Sequence, residues 1–238
     1  MTTPSNTRAD LLVALDRALS KAQPVLNQNE IERLMGALSP GLENRRTVYR
    51  RIDQAIANGM FVRVGRGVYM NLRRQTKSTY ADAVEYIRPG AIASLQTVLG
   101  DAGVIDNFTT DIVTCVVPRP VGKTSVAVPQ DNPHFAFHVV AERAAMPDVD
   151  FPIFAGSGYR RATPELAFAH WLYIAEQPRG GLTIPSLEID LAHIDQGKVE
   201  ELCRAIGIEG AWDKWLAQKT ERDADADVQA HGSMRFGF

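Results

Sequence analysis

Residues 43–70 read ENRRTVYRRIDQAIANGMFVRVGRGVYM. The first half, residues 43–57, has the spacing of an amphipathic helix, and Asn58-Gly59 is a typical helix stop. Residues 61–70 place two short runs of β-prone residues on either side of Gly65-Arg66-Gly67, which predicts a short β-hairpin. We therefore expect a helix that leads directly into a hairpin. The apolar side of the helix consists of Val48, Ile52, Ala55 and Ile56.

Two further helices are predicted upstream of this segment. In the first, over 8–21, leucines recur every four residues, and Pro24 follows its end. The second places apolar residues at Ile31, Leu34, Met35 and Leu38, and Ser39-Pro40-Gly41 supplies the turn to the next helix. Three helices followed by a hairpin are the element order of a winged helix-turn-helix domain.

Positive charge is concentrated in the same region. Residues 41–77 contain nine basic side chains and two acidic ones, a local net charge of +7. The whole chain has a net charge of −2, so the remainder carries −9. Basic charge confined to one segment indicates a nucleic-acid-binding surface.

The polar side of the 43–57 helix has side chains suited to reading bases. The arginine fork can bond both acceptors of guanine, and glutamine can bond adenine in the same way. In the hairpin, an arginine lies between Gly65 and Gly67, which tolerate positive φ, so this tip can follow a minor groove or phosphates. A helix face that is charged only for solubility is the alternative. The predicted DNA contacts are Arg45, Arg46, Thr47, Arg50 and Gln54 in the major groove, and Arg63 and Arg66 at the backbone or minor groove.

The composition changes near Thr76, which predicts a winged-helix domain over 1–77 and a second domain over 78–238. We expect an α+β fold, with a larger mixed domain of antiparallel sheet and packed helices following the winged helix. Thr163-Pro164-Glu165 is a strong helix start. The other predicted elements are helices over 91–99, 195–206 and 211–219, strands over 111–117, 124–128 and 135–140, an edge piece at 151–154, and a flexible acidic tail at 221–227.

The overall composition is that of a globular chain. Of its 238 residues 45% are hydrophobic and 23% are charged, which permits one or two well-packed domains. No window reaches the roughly 18 apolar residues of a membrane span, and the first residues lack the apolar core of a signal peptide, so we expect a cytoplasmic protein. The two cysteines, Cys115 and Cys203, lie in apolar sequence and are expected to be reduced core thiols.

No catalytic or metal-binding motif is complete. Gly122-Lys-Thr124 lacks the glycine that a phosphate-binding loop needs five positions earlier, where Val117 stands. His134 and His138 have no evident third ligand, and His170 is expected to be a hydrogen-bonded core residue. We therefore expect a protein that is not an enzyme and that needs no cofactor or metal.

Three segments together resemble a known family. GRGVY at 65–69, SLQTVLGDAG at 94–103 and GYRRATPELAFA at 158–169 are similar in order and spacing to the abortive-infection (AbiEi-type) antitoxins of bacterial type IV toxin–antitoxin systems. The resemblance spans roughly residues 10–219, and the Arg-x-Thr-Pro-Glu helix start at 161–165 is its most specific element.

The resemblance implies a transcriptional repressor with two tasks, in phage defence by abortive infection. The amino-terminal domain of such proteins binds inverted repeats of double-stranded DNA in the promoter of its own operon. The larger domain counteracts a nucleotidyltransferase-like toxin, without a stable complex between the two.

Two other functions remain open from the residues alone. One is a ligand-responsive winged-helix transcription factor, unrelated to a toxin, whose second domain holds a small molecule. The other is a nuclease with a DNA-docking domain. The scarcity of clustered Asp, Glu and His near the predicted winged helix argues against the nuclease.

Overall fold

The computed structural model describes residues 8–39, 45–106, 111–123, 125–129, 132–147, 158–178 and 180–233. They form two compact units. The first contains the described residues up to Pro89 together with 132–134 and 158–159, and the second contains the others. The first unit thus includes residues 78–89, which lie beyond the boundary that the sequence suggests.

The first unit combines helices with a three-stranded antiparallel sheet. The sheet order is β1-β3-β2. Strand β1 was not expected from the sequence, since three residues carry no periodic pattern. The elements are α1 (Arg8–Leu19), β1 (Val25–Asn27), α2 (Gln28–Leu38), α3 (Arg45–Ala57), β2 (Phe61–Gly65), β3 (Val68–Asn71), a 3-10 helix (Tyr80–Ala83) and α4 (Val84–Ile87).

The core of this unit is built from the predicted helix stripes. Leucines of α1, Ile31 and Met35 of α2 and Val48 and Ile52 of α3 pack with aromatic residues of the hairpin. An Asn27–Glu30 capping box starts α2, because the Asn27 side chain accepts from the Glu30 N–H and the Glu30 carboxylate accepts from the Asn27 N–H.

A buried asparagine joins three parts of the first unit. The Asn71 side chain donates from Nδ2 to the carbonyl oxygens of Leu19 (2.8 Å) and Gln23 (3.1 Å). The Asn71 backbone N–H donates to the Pro24 carbonyl at 2.8 Å, and the Ser78 hydroxyl donates to the Asn71 carbonyl. Asn71 thus fixes the end of α1 and the start of β1 against the end of β3.

The second unit has a four-stranded mixed sheet in the order β6-β5-β4-β7. Strands β4 and β5 are antiparallel, whereas β5 pairs with β6, and β4 with β7, in parallel. The elements are β4 (Ile92–Ala93), α5 (Gln96–Asp101), β5 (Val113–Arg119), β6 (Phe135–Ala141), α6 (Glu142–Ala145), β7 (Arg160–Arg161), α7 (Pro164–Glu176), a 3-10 helix (Leu191–His193), α8 (Gln196–Ile206) and α9 (Glu209–Ser233).

The prediction of a purely antiparallel second sheet is wrong. Parallel neighbours need a crossover of a dozen or more residues, and the connection over 120–134 is long enough to return the chain to the same end of the sheet. The α+β class is correct. Residues 125–128 are not a strand, and 151–154 lie outside the described residues.

Two helix predictions need correction. Residues 91–99 are not one helix, because Ile92–Ala93 pairs as β4 and the helix begins only at Gln96, after Leu95 with a φ of +56°. The acidic tail at 221–227 does not leave the helix but continues α9. Ion pairs of Lys219 with Asp223 (3.1 Å) and of Arg222 with Glu188 (2.7 Å) support its path.

Helix α7 is the centre of the second unit. It starts as predicted, with Thr163 as N-cap and Pro164 in the first turn. Phe168 packs edge-on against two tryptophans of α9, at centroid distances of 6.0 Å to Trp212 and 4.9 Å to Trp215.

Cys115 and Cys203 are free and buried, as expected. None of the described helices combines the length and the apolar character that crossing a bilayer requires.

His170 of α7 is fully buried and hydrogen-bonded through both ring nitrogens. Its Nε2 lies 2.9 Å from the Ala144 carbonyl oxygen, and its Nδ1 lies 2.8 Å from the Ser94 hydroxyl. A carbonyl only accepts, so Nε2 carries the proton and Ser94 donates to Nδ1. Burial lowers the pKa of His170 to about 4. The neutral ring ties α7 to the residues that follow β4 and to α6.

We predict that Asn71→Ala lowers the unfolding free energy of the first unit by about 2–4 kcal/mol, because two carbonyls lose their donor inside the protein. Asn58→Ala is the matched control, since the exposed Asn58 side chain also donates to a carbonyl, that of Gln54. It should cost less than about 1 kcal/mol. Urea unfolding measures both, and equal losses would contradict the role given to Asn71.

We predict that His170 makes stability depend on pH. The folded pKa lies below the unfolded value of about 6.5, so between pH 6.5 and 4 the unfolded chain binds the extra proton. The unfolding free energy should therefore fall with decreasing pH, by up to about 1.4 kcal/mol per pH unit from this residue.

Denaturant unfolding of parent and His170→Gln from pH 8 to 4 measures this slope, and the variant should lose that part of it. If the unfolding free energy of His170→Gln depends on pH as strongly as that of the parent, His170 is not the source of this pH dependence.

Candidate functional site

The exposed face of α3 is a stripe of four side chains. Arg46 and Arg50 are exposed, as the sequence predicts. Tyr49 stands between them with 39% of its surface exposed, and Asp53 continues the stripe. The predicted contact residues Thr47 and Gln54 are half-buried at its borders, and the side chain of Arg45 is outside the described set.

Arg63 of β2 is held between the hairpin and α3. Its guanidinium lies over the Tyr69 ring, 5.5 Å from the centroid, and donates to the Tyr69 hydroxyl at 3.5 Å. It also lies 3.9 Å from the Asp53 carboxylate. Both side chains of this ion pair are more than half exposed, so the pair orients Arg63 but adds little stability.

Arg66 is exposed at the turn between β2 and β3, and its two flanking glycines serve different purposes. Gly67 has a φ of +70°, the left-handed conformation that the turn requires. Gly65 does not have positive φ, contrary to the expectation. A Cβ on Gly65 would instead lie 2.3 Å from Cδ1 of Ile87, so the glycine leaves room for the Ile87 side chain in its present position.

Gln28 connects the start of α2 to the hairpin and to α3. Its backbone N–H donates to the Gly67 carbonyl at 2.9 Å. Its side-chain Nε2 lies within hydrogen-bond distance of the Tyr49 hydroxyl and of the Glu32 carboxylate. These bonds place Arg66 in a shallow recess with the residues that start α2, namely Asn27, Gln28 and Asn29.

Not all of the nine basic side chains in this region share one surface. Arg73 pairs with Asp16 of α1 at 2.7 Å. Arg51 is half-buried and donates to Gln54 at 3.3 Å. Both have partners within the first unit. The exposed cations on the α3 face and the hairpin are Arg46, Arg50, Arg63 and Arg66.

Sequence reasoning missed Gln28, Tyr49 and Asp53. The signal for Tyr49 was present, because position 49 lies on the same side of the helix as position 46, but a tyrosine there is equally compatible with a core position. Asp53 shares the same face at i+3 from Arg50. Gln28 had no signal, since its role depends on β1, a strand too short to detect.

A second concave site lies in the second unit, along strand β6. We call it the β6 cleft. Its volume is about 530 Å³, and its walls are the edge strand β6 and the last turn of α7 with the residues that follow it. The lining residues are Arg119, Phe137, His138, Val139, Val140, Ala141, Tyr173, Ile174, Gln177, Pro178 and Gly180.

His138 lies in strand β6, and burial lowers its pKa. His134 precedes the strand and stacks on Tyr80, with ring centroids 4.0 Å apart. Within the described ranges, no group of three or more His, Cys, Asp or Glu side chains is arranged to hold a metal ion.

Comparison with known proteins shows a likeness of fold. The structure is similar to the crystal structure of RV2827C protein from Mycobacterium tuberculosis, with a TM-score of 0.53 over 87% of this chain and 80% of that chain. The two sequences are 10% identical, so the likeness concerns the fold alone. No family model and no curated protein matches the chain.

Proposed function

We propose that the first unit contains a winged helix-turn-helix domain that binds double-stranded DNA. The support is its element order, α1-β1-α2-α3-β2-β3, and its sheet order, β1-β3-β2. In this assignment α2 and α3 are the helix-turn-helix, α3 is the recognition helix, and the β2–β3 hairpin is the wing.

The observation that carries the proposal is the exposed stripe of α3 beside a basic hairpin. Arg46 and Arg50 lie one helical turn apart on the exposed face, and no acidic residue stands between them. Together with Arg45, Thr47 and Gln54 they contact the major groove in the proposed complex. Arg66, at a glycine turn tied to α2, contacts the adjacent backbone or minor groove.

Arg63 has a more restricted role in this proposal. It is oriented by Tyr69 and Asp53, so its guanidinium reaches phosphate from a fixed position beside α3. Asp53 supplies a negative charge on the same face, and like-charge repulsion from phosphates limits how closely that end of α3 approaches DNA. In the proposed complex the amino-terminal half of α3, from Arg45 to Arg50, therefore approaches the bases most closely, and Gln54 contacts the groove from the border of the stripe.

We further propose, from the family resemblance, a cytoplasmic repressor and antitoxin that is not an enzyme. It binds inverted repeats in the promoter of its own toxin–antitoxin operon and counteracts a nucleotidyltransferase-like toxin without a stable complex. In this proposal the first unit binds DNA and the second unit counteracts the toxin. In this role the protein belongs to phage defence by abortive infection.

A second candidate function is a ligand-responsive winged-helix regulator unrelated to a toxin. The β6 cleft favours it, since its volume lies in the range of small-molecule sites. The neighbouring gene separates the two candidates. A nucleotidyltransferase-like reading frame in the same operon supports the antitoxin, and its absence together with a thermal shift by a metabolite supports the regulator.

We predict that Arg46→Ala and Arg50→Ala each cost about 1–3 kcal/mol of binding to the operon's own promoter and less on a scrambled duplex, because each guanidinium reads a base. Arg66→Ala should weaken binding to both duplexes alike and lower the salt slope by about one unit, because it contacts phosphate.

Arg17→Ala, an exposed arginine of α1, is the matched control for charge and should bind like the parent. Fluorescence anisotropy at several salt concentrations measures all four variants with both duplexes. If the three site variants bind both duplexes like the parent, with unchanged salt slopes, the DNA-binding proposal fails.

We predict that the second unit is required for antitoxicity. A fragment of residues 1–89, which retains the first unit apart from residues 132–134 and 158–159, should bind promoter DNA but fail to restore growth when co-expressed with the operon's toxin. The full chain should restore growth. Rescue by the fragment at equal expression would overturn the division of labour and leave the DNA-binding proposal untouched.

A further inference from the structure

The β6 cleft has walls that are fixed before any ligand binds. One wall is the edge strand β6, which contributes five consecutive residues, 137–141, to the lining. The opposite wall is the last turn of α7 and the chain after it. A Cβ on Gly180 would lie 1.7 Å from the Ile174 carbonyl oxygen, so this segment is pressed against the helix end. Gly180 also donates to the Gln177 carbonyl at 2.9 Å.

The cleft holds one cation that has no counter-ion among the described residues. Arg119, at the carboxyl end of β5, is half-buried, and its guanidinium forms no ion pair or hydrogen bond with another described residue. A partly desolvated guanidinium without a partner is costly, and an anion that accepts its paired N–H groups removes that cost. Arg119 thus gives the cleft a specific chemical preference.

The neighbouring cations lie outside the cleft. A smaller recess of about 270 Å³ adjoins the cleft and shares Arg119 with it. That recess adds the cations Lys123 and Arg143, which are opposed by the single carboxylate of Glu142. His138 also lines the cleft and could carry a positive charge, but burial lowers its pKa and so favours the neutral imidazole. Arg119 is therefore the cation that lines the cleft itself at neutral pH.

Part of the remaining lining is suited to an apolar body, although the cleft as a whole exposes somewhat more polar than apolar surface. Phe137, Tyr173 and Ile174 present aromatic and aliphatic surface. The amide of Gln177 adds a polar group on the α7 side. Ligand sites of this volume are mostly apolar, with a few polar groups that fix the orientation of the ligand.

We propose that the β6 cleft binds a small organic anion with an aromatic body, whose carboxylate pairs with Arg119. The aromatic body packs against Phe137, Tyr173 and Ile174. The proposal concerns the second unit and does not depend on DNA binding by the first. It holds whether the chain is an antitoxin or a ligand-responsive regulator.

The test uses the full chain without DNA and two probes that differ in charge, 2-naphthoate and its neutral counterpart 2-naphthylmethanol. Isothermal titration calorimetry of the parent should give a Kd below about 1 mM for 2-naphthoate and at least about tenfold weaker binding for the alcohol. Arg119→Gln should weaken 2-naphthoate by at least about tenfold and leave the alcohol unchanged.

Two further variants keep the test decisive. Arg143→Gln removes the same charge from the adjoining recess and should bind both probes like the parent. Gln177→Glu places a carboxylate at an exposed position of the wall, so it should weaken 2-naphthoate about tenfold even if Arg119→Gln fails to fold. Melting curves show which variants are folded.

Three results would overturn the proposal. The first is no binding of 2-naphthoate to the folded parent at millimolar concentration. The second is equal binding by the parent, Arg119→Gln and Gln177→Glu. The third is a loss in Arg143→Gln with none in Arg119→Gln, which assigns the anion to the smaller recess.

Discussion

The first unit depends on the pairing of β1, a strand of three residues, with β3. The register places Leu26 opposite Tyr69 and Asn27 opposite Val68, so α2 must begin beside the turn that carries Arg66. Asn71 secures this pairing, because it supplies donors to carbonyls at the end of α1 and in the loop before β1. Three residues of strand cannot hold themselves together in water. The buried asparagine and the core beneath it make the pairing stable, and the hairpin and α3 take their positions from it.

The candidate site depends on the pairing of β1 with β3 and on the charged side chains of α3 and the hairpin. Gln28 bonds to the hairpin turn through its backbone and reaches Tyr49 of α3 through its side chain, so two elements that are separate in sequence share one surface. Within this surface Arg63 is oriented by an aromatic ring and a carboxylate, whereas Arg50 and Arg66 have no ion pair with a described residue. The basic side chains of residues 41–77 thus fall into two groups, those that pair with other groups of the first unit and those that are exposed. The exposed arginines are the ones available to a polyanion.

Much of the longer helices could be predicted from the sequence, because their apolar residues recur at helical spacing or their first residues are typical of a helix start. Thr163-Pro164 before α7 is an example. The short strands β1 and β4 could not be predicted, since they exist only through pairing with distant residues. For the same reason the parallel pairing of β5 and β6 was missed. At the site, the exposure of Arg46 and Arg50 follows from periodicity alone. The partners of Arg63 and the packing of Gly65 on Ile87 depend on tertiary structure, and no local pattern encodes them.

The most direct test of DNA binding is the salt dependence of the unmodified full chain. Its affinity for the promoter of its own operon and for a scrambled duplex of equal composition would be measured between about 50 and 200 mM salt. The account predicts that the logarithm of the affinity falls linearly with the logarithm of the salt concentration on both duplexes. It also predicts at least about 10³-fold tighter binding to the promoter. Absence of salt-dependent binding to either duplex would contradict it.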